Sequence, residues 1–198
     1  RPTTCQQAFY RIANQPVPQP GEVCDDRLDN DGDDLVDFQD PDCQPDCKVR
    51  VVITSIKVIT ATDANDKDFY RSDYIFVNVN GREQRDGFFS TLEEIAEGMA
   101  YTPEEPIEIF NQTVGKKGDE LTIIVRLGMQ EIDAMRDEAD LGEGRLGPVK
   151  DGDKLPRCET RVIERTIKVK LQPSPDPTDH DPPEVGEAEI RIRIEIDP

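Results

Sequence analysis

Between Cys24 and Cys43 lies the stretch DDRLDNDGDDLVDFQDPD, in which nine of eighteen residues are Asp. Counted from Asp29, carboxylates stand at positions one, three, five, nine and twelve: Asp29, Asp31, Asp33, Asp37 and Asp40. Leu35, at position seven, can offer its backbone carbonyl. Oxygen donors at that spacing suit the six or seven bonds that calcium takes. Carboxylates on alternate residues of a tight loop all point inward at one hard cation. Without it they repel at short range and favour an open chain. No His or Cys stands inside the ring, so the donor set selects calcium over zinc or copper. Ca2+ is therefore the expected cofactor.

Two further acidic stretches follow core strands. The first, TATDANDKDFYRSD, carries Asp63, Asp66, Asp68 and Asp73. The second, GMQEIDAMRDEADLGEGRLG, carries Glu131, Asp133, Asp137, Glu138 and Asp140. If they meet at one end of a sheet, Asp66, Asp68, Asp73, Asp137 and Asp140 form a second metal site. If they do not, they solvate the surface.

The elements that must position these groups are strands. From residue 49 onward, β-branched runs are separated by Gly, Pro and Asp, which predicts strands over 49–60, 74–80, 107–113, 121–127, 161–171 and 188–196. The last alternates strictly: Ile190, Ile192, Ile194 and Ile196 on one face, Arg191, Arg193 and Glu195 on the other. Asn80-Gly81 predicts a tight turn. Ser90 and Glu93 make a capping box before Leu92, Ile95, Ala96 and Met99, which predicts one short helix. Residues 172–184 are too rich in Pro for either element and predict a stiff surface loop. The expected fold is all-β: an antiparallel β-sandwich of about 7–8 strands over 48–198. It carries an extended N-terminal arm over 1–23 and an Asp-rich, disulfide-stapled calcium loop over 24–47. Phe9, Tyr10 and Ile12 could pin the arm to a neighbouring surface.

The spacing Asp29-x-Asp31-x-Asp33-x-x-x-Asp37-x-x-Asp40-x-x-Cys43 resembles the calcium loop of thrombospondin type-3 repeats. It is also similar to Cys-bounded DNDGDG segments of bacterial surface and secreted proteins. The likeness covers a tenth of the chain. It implies Asp29, Asp31, Asp33, Asp37 and Asp40 as side-chain ligands, Leu35 as a carbonyl ligand, and a Cys24–Cys43 bridge closing the loop. The family's Gly at position six is Asp34 here, which must then tolerate positive φ. More weakly, residues 49–198 resemble the C-two domain, a calcium- and phospholipid-binding β-sandwich. Arg71-Ser72-Asp73-Tyr74-Ile75-Phe76-Val77 is similar to the segment after its first calcium loop, and Leu121-Thr122-Ile123-Ile124-Val125 with Leu146-Gly147 to its third-loop neighbourhood. The tightly spaced Asp-x-Asp of that third loop is absent.

Cysteine usage sets the compartment. Cys5, Cys24, Cys43 and Cys47 crowd a stretch with little core, and Cys158 stands apart. Disulfides are the usual staple there, which implies an oxidising, extracellular or cell-surface location. The opening at Arg1 fits a secreted precursor trimmed of its targeting peptide, and a fragment equally. Five is odd, so one thiol stays free or pairs outside the chain; apart from the resemblance, the pairing of Cys5, Cys47 and Cys158 is open.

Charge narrows the function. The chain holds 43 acidic and 24 basic residues, a net charge of −19, which repels phosphate backbones and excludes a nucleic-acid partner. Docking on an anionic membrane would need intervening cations. No apolar run approaches the roughly 20 residues of a transmembrane segment. A single His, His180, sits among Asp and Pro as a surface residue and leaves little room for His-based chemistry. Glu104/Glu105 look like acidic surface, and Asn111-Gln112-Thr113 is a glycosylation sequon that chance also produces. No enzyme signature is present. The expectation is a secreted calcium-binding structural protein of a filament or surface layer, self-associating through the N-terminal arm or terminal strands. The alternative is a calcium-dependent module binding lipid head groups or glycans.

Overall fold

Alternating Ile and charged residues near the C-terminus can bury one face only if another layer covers it. The computed structural model describes residues 24, 27, 29, 34–35, 39–60, 67–85, 89–91, 93–132, 139–172 and 186–198, without the side chains at 41, 67–68, 73, 131–132, 139–141 and 171–172. The chain divides into two units, Arg1–Pro45 and Asp46–Pro198. Among the described residues of the second, ten strands run in order: β1 (Asp46–Thr60), β2 (Lys67–Val79), β3 (Arg82–Gln84), β4 (Ile95–Ala96), β5 (Ala100–Tyr101), β6 (Ile107–Lys116), β7 (Ile123–Ile132), β8 (Ala139–Leu146), β9 (Arg161–Gln172) and β10 (Gly186–Asp197). Every pairing among them is antiparallel.

The hydrogen-bonded order is β3-β2-β7-β8-β9-β10-β1, with β5 and β6 both pairing β1, and β4 pairing β2. The ribbon folds over where β8 meets β9, which pair only from Leu141↔Gln172 to Glu143↔Lys170. A Cβ on Gly144 would come within 2.6 Å of Ile167 Cγ2, and one on Gly142 within 2.6 Å of the Lys170 carbonyl. Only glycine permits backbones that close. The two halves so formed share one core. Ile75, Val77, Val125 and Leu127 from one half cluster with Val49, Val51, Ile190, Ile192 and Ile194 from the other. That shared core makes the fold a β-sandwich.

Two expectations change on the structure. Residues 139–146 form β8, although glycines hid it from a reading by apolar pattern. The helix expected after Ser90 does not form. Ser90 bridges Arg71, Ile95–Ala96 is β4, and Met99 is 59% exposed. The cause is an alternative satisfaction of the backbone. Thr91 N–H donates to the Tyr70 carbonyl, Ser72 N–H to the Phe89 carbonyl, and Tyr70 N–H to Thr91 Oγ1. These bonds to β2 displace the capping box, and the Ser90 hydroxyl turns to the Thr91 carbonyl. Leu92 lies outside the described residues. The tight turn is present between β2 and β3, with Asn80 at φ 48 and Gly81 at φ 82.

A disulfide joins Cys47, at the start of β1, to Cys158, three residues before β9. Both are fully buried. Among the described residues no helix is long and apolar enough to cross a membrane. Residues 1–23 and 173–185, His180 and Cys5 included, lie outside the described residues.

Candidate metal centre

Three of the six positions of the Asp loop are described: Asp29, Leu35 and Asp40. Asp31, Asp33 and Asp37 lie outside. Asp29 Oδ2 accepts a hydrogen bond from the Asp34 N–H at 3.0 Å. Asp34 stands at φ 71, the left-handed conformation that its position requires in place of Gly. Asp tolerates it better than most residues. The bond from position six back to position one curls the chain into a tight loop.

Asp40 closes the other end. It is only 1% exposed, and its Oδ1 accepts from the Asp42 N–H at 2.6 Å. Its carbonyl accepts from the Cys43 N–H at 3.1 Å, across a 3-10 turn over Pro41–Cys43. Cys43 is bonded to Cys24, the pair that the calcium-loop resemblance implies. Asp40 Oδ2 is buried with no hydrogen-bond partner among the described residues. A carboxylate oxygen left so is costly unless something positive reaches it. An all-oxygen donor set and one such oxygen fit a hard cation. Among the described residues alone, no three His, Cys, Asp or Glu are grouped to hold a metal.

The second acidic set is spread along the sandwich. Asp66 and Asp137 lie outside the described residues. The register places the ends flanking their loops together: Phe69 pairs Ile132, which pairs Ala139. Asp68, opposite Ile95, and Asp140, opposite Glu131, belong to that end of the sheet. Asp73 does not. It sits at the bulge between Ser72 and Tyr74, about 16 Å along the strand from Asp68 at the usual rise.

Two features on the second unit had no clear sequence signal. The first is a ladder of charges on the outer face. Arg50 donates from Nε to Glu108 at 2.6 Å and from Nη1 to Glu195 at 3.0 Å. The hydrogen bond from Arg50 holds the Glu108 carboxyl below the usual carboxylate range, helped by Asn111, and the two glutamates raise the Arg50 guanidinium. Exposed Asn111, the sequon residue, thus has its amide engaged with Glu108. The second is a groove of about 730 Å³ lined by Phe89, Glu93, Tyr101, Glu104, Glu105 and Ile107 among others.

No protein-family model matches the chain, and no curated protein matches it. Among solved structures it is similar to human GIVD cytosolic phospholipase A2, at 11% identity and TM-score 0.34, over 78% of this chain and 17% of that one. It is also similar to the C-two A domain of plant extended synaptotagmin 1, at 9% identity and TM-score 0.34, over 78% and 97%. The chain thus spans about a sixth of the phospholipase's length. Likeness at that TM-score carries no argument about activity or ligand. The calcium-loop reading of residues 24–43 rests on those residues themselves.

Proposed function

We propose that this is a secreted calcium-binding structural protein, a non-catalytic subunit of an extracellular or cell-surface filament or layer. The observation that carries the calcium reading is the buried, unpartnered Oδ2 of Asp40 at the end of a loop curled by the Asp29–Asp34 bond. In this reading Asp29, Asp31, Asp33, Asp37 and Asp40 hold the ion through carboxylates and Leu35 through its carbonyl. Calcium supplies the positive charge that lets these groups converge. The chain's own part is to fix the ends: the Cys24–Cys43 bridge shortens the loop, and Asp34 turns it. Two disulfides support an oxidising compartment. Because Cys24, Cys43, Cys47 and Cys158 pair among themselves, Cys5 is left over from the odd count and is suited to a bridge between subunits.

Extracellular sites bind calcium with Kd of about 0.1–1 mM, so about 2 mM free calcium stabilises the loop by roughly 0.6–1.8 kcal/mol. The test is light scattering on sized fractions of the full chain, with negative-stain microscopy, in calcium and in chelator. We expect polymers in calcium that shrink in chelator, and Asp40→Asn behaving in calcium as wild type does in chelator. A clean monomer in both buffers overturns the assembly reading. Calcium-dependent flotation with liposomes, or retention on glycans, by that monomer would establish the alternative.

A further inference from the structure

Between β5 and β6 the chain runs Tyr101-Thr102-Pro103-Glu104-Glu105-Pro106, forming one wall of the groove. Buried Phe89 and Tyr101 and half-buried Ile107 give it an apolar floor, while exposed Glu93, Glu104 and Glu105 give it an anionic rim. The groove therefore suits a ligand with a cation for the rim and apolar side chains for the floor.

The chain itself contains one segment of that chemistry. Residues 1–21 hold Arg1 and Arg11 and no Asp or Glu, whereas the remainder has 22 basic against 43 acidic residues. Phe9-Tyr10-Arg11-Ile12 sets a single cation among two aromatics and an aliphatic. The segment is rich in Pro and Gln, a composition that favours an extended backbone with free amides and carbonyls. We propose that this segment of a second copy docks in the groove. Arg11 lies between the rim glutamates, and its apolar neighbours cover Phe89 and Ile107. The proposal rests on the assembly reading and gives it an interface. It is heterologous, arm to groove, so repetition builds an open chain.

Sedimentation velocity of the full-length chain in calcium tests it with two variants. Glu104→Lys/Glu105→Lys reverses the rim and leaves the arm intact; Arg11→Glu does the opposite. Glu104 and Glu105 are exposed, and unchanged thermal midpoints confirm folding of each variant. Each variant alone should self-associate at least about tenfold more weakly than wild type. An equal mixture of the two should regain association, because the intact arm meets the intact rim and the reversed arm meets the reversed rim. The combined triple variant should regain association. Variants that polymerise like wild type overturn the groove while the assembly reading stands. A mixture that stays monomeric overturns docking between copies, since the arm then binds its own subunit. Wild type that never associates overturns both.

Discussion

Arg50 shows how single residues stabilise the outer face. Its guanidinium bridges Glu108 on β6 and Glu195 on β10, side chains that the register brings to either side of β1. All three are about a third or more exposed, so solvent screens the pair and its value is modest. The sign with pH follows from the depressed carboxyl of Glu108. A carboxylate lowered on folding contributes stability above its unfolded pKa of about 4.3, and loses it as pH falls through the folded value. Glu108→Gln should therefore cost at most about 1 kcal/mol at neutral pH. The gap to wild type should close as denaturation is repeated at pH below about 4. A gap that stays constant across that range would assign the effect to packing. At the same scale, Asp34 takes a φ of 71, a left-handed conformation that Asp tolerates better than most residues.

Among elements, the two disulfides do different jobs. Cys47–Cys158 clamps the start of β1 to the segment whose backbone bonds Gly118 and Asp119. It closes a loop of 111 residues, for which the chain-entropy model gives more than 4 kcal/mol, and its loss should cost about 2–5 kcal/mol. Cys24–Cys43 closes only 19 residues, in the other unit. Cys47→Ala/Cys158→Ala should thus lower the urea midpoint of the sandwich. Cys24→Ala/Cys43→Ala should leave that midpoint unchanged and weaken calcium binding by titration. Equal loss of midpoint in both would show that the units unfold as one. The sequence made the strands with clean periodicity readable, β10 above all, because burial on one face imposes a period of two. It hid β8, whose Gly142 and Gly144 are there for close approach rather than for an apolar face. It misled at Ser90–Glu93, where a local capping signal competes with β2 for the same backbone groups and loses. For the Asp loop, the spacing of the carboxylates is written in the chain, whereas the isolation of Asp40 Oδ2 exists only in the folded chain. The groove was equally unreadable, since Phe89 and Tyr101 meet only across β2 and β1.

At the scale of the whole molecule, a charge of −19 opposes both compaction and association. Sodium chloride screens this repulsion beyond about 10 Å at 0.1 M, so melting temperature should rise smoothly with salt. Calcium at matched ionic strength should add a saturable stabilisation of the Asp loop, of no more than about 2 kcal/mol, read by protease resistance of residues 24–43. Superposed sodium and calcium curves would reduce the metal to a screening ion.

The order of strands along the chain also sets a timetable. β10 is the last of the described strands, yet it stands in the interior of the sheet, between β9 and β1. Val51 waits for Ile194, and Ile163 for the same residue. Until that strand has emerged, two long strands expose apolar faces and open edges, the state most prone to aggregate. Such long-range pairing closes slowly, in milliseconds to seconds. A sheet built this way completes its core only when β10 has docked between β9 and β1.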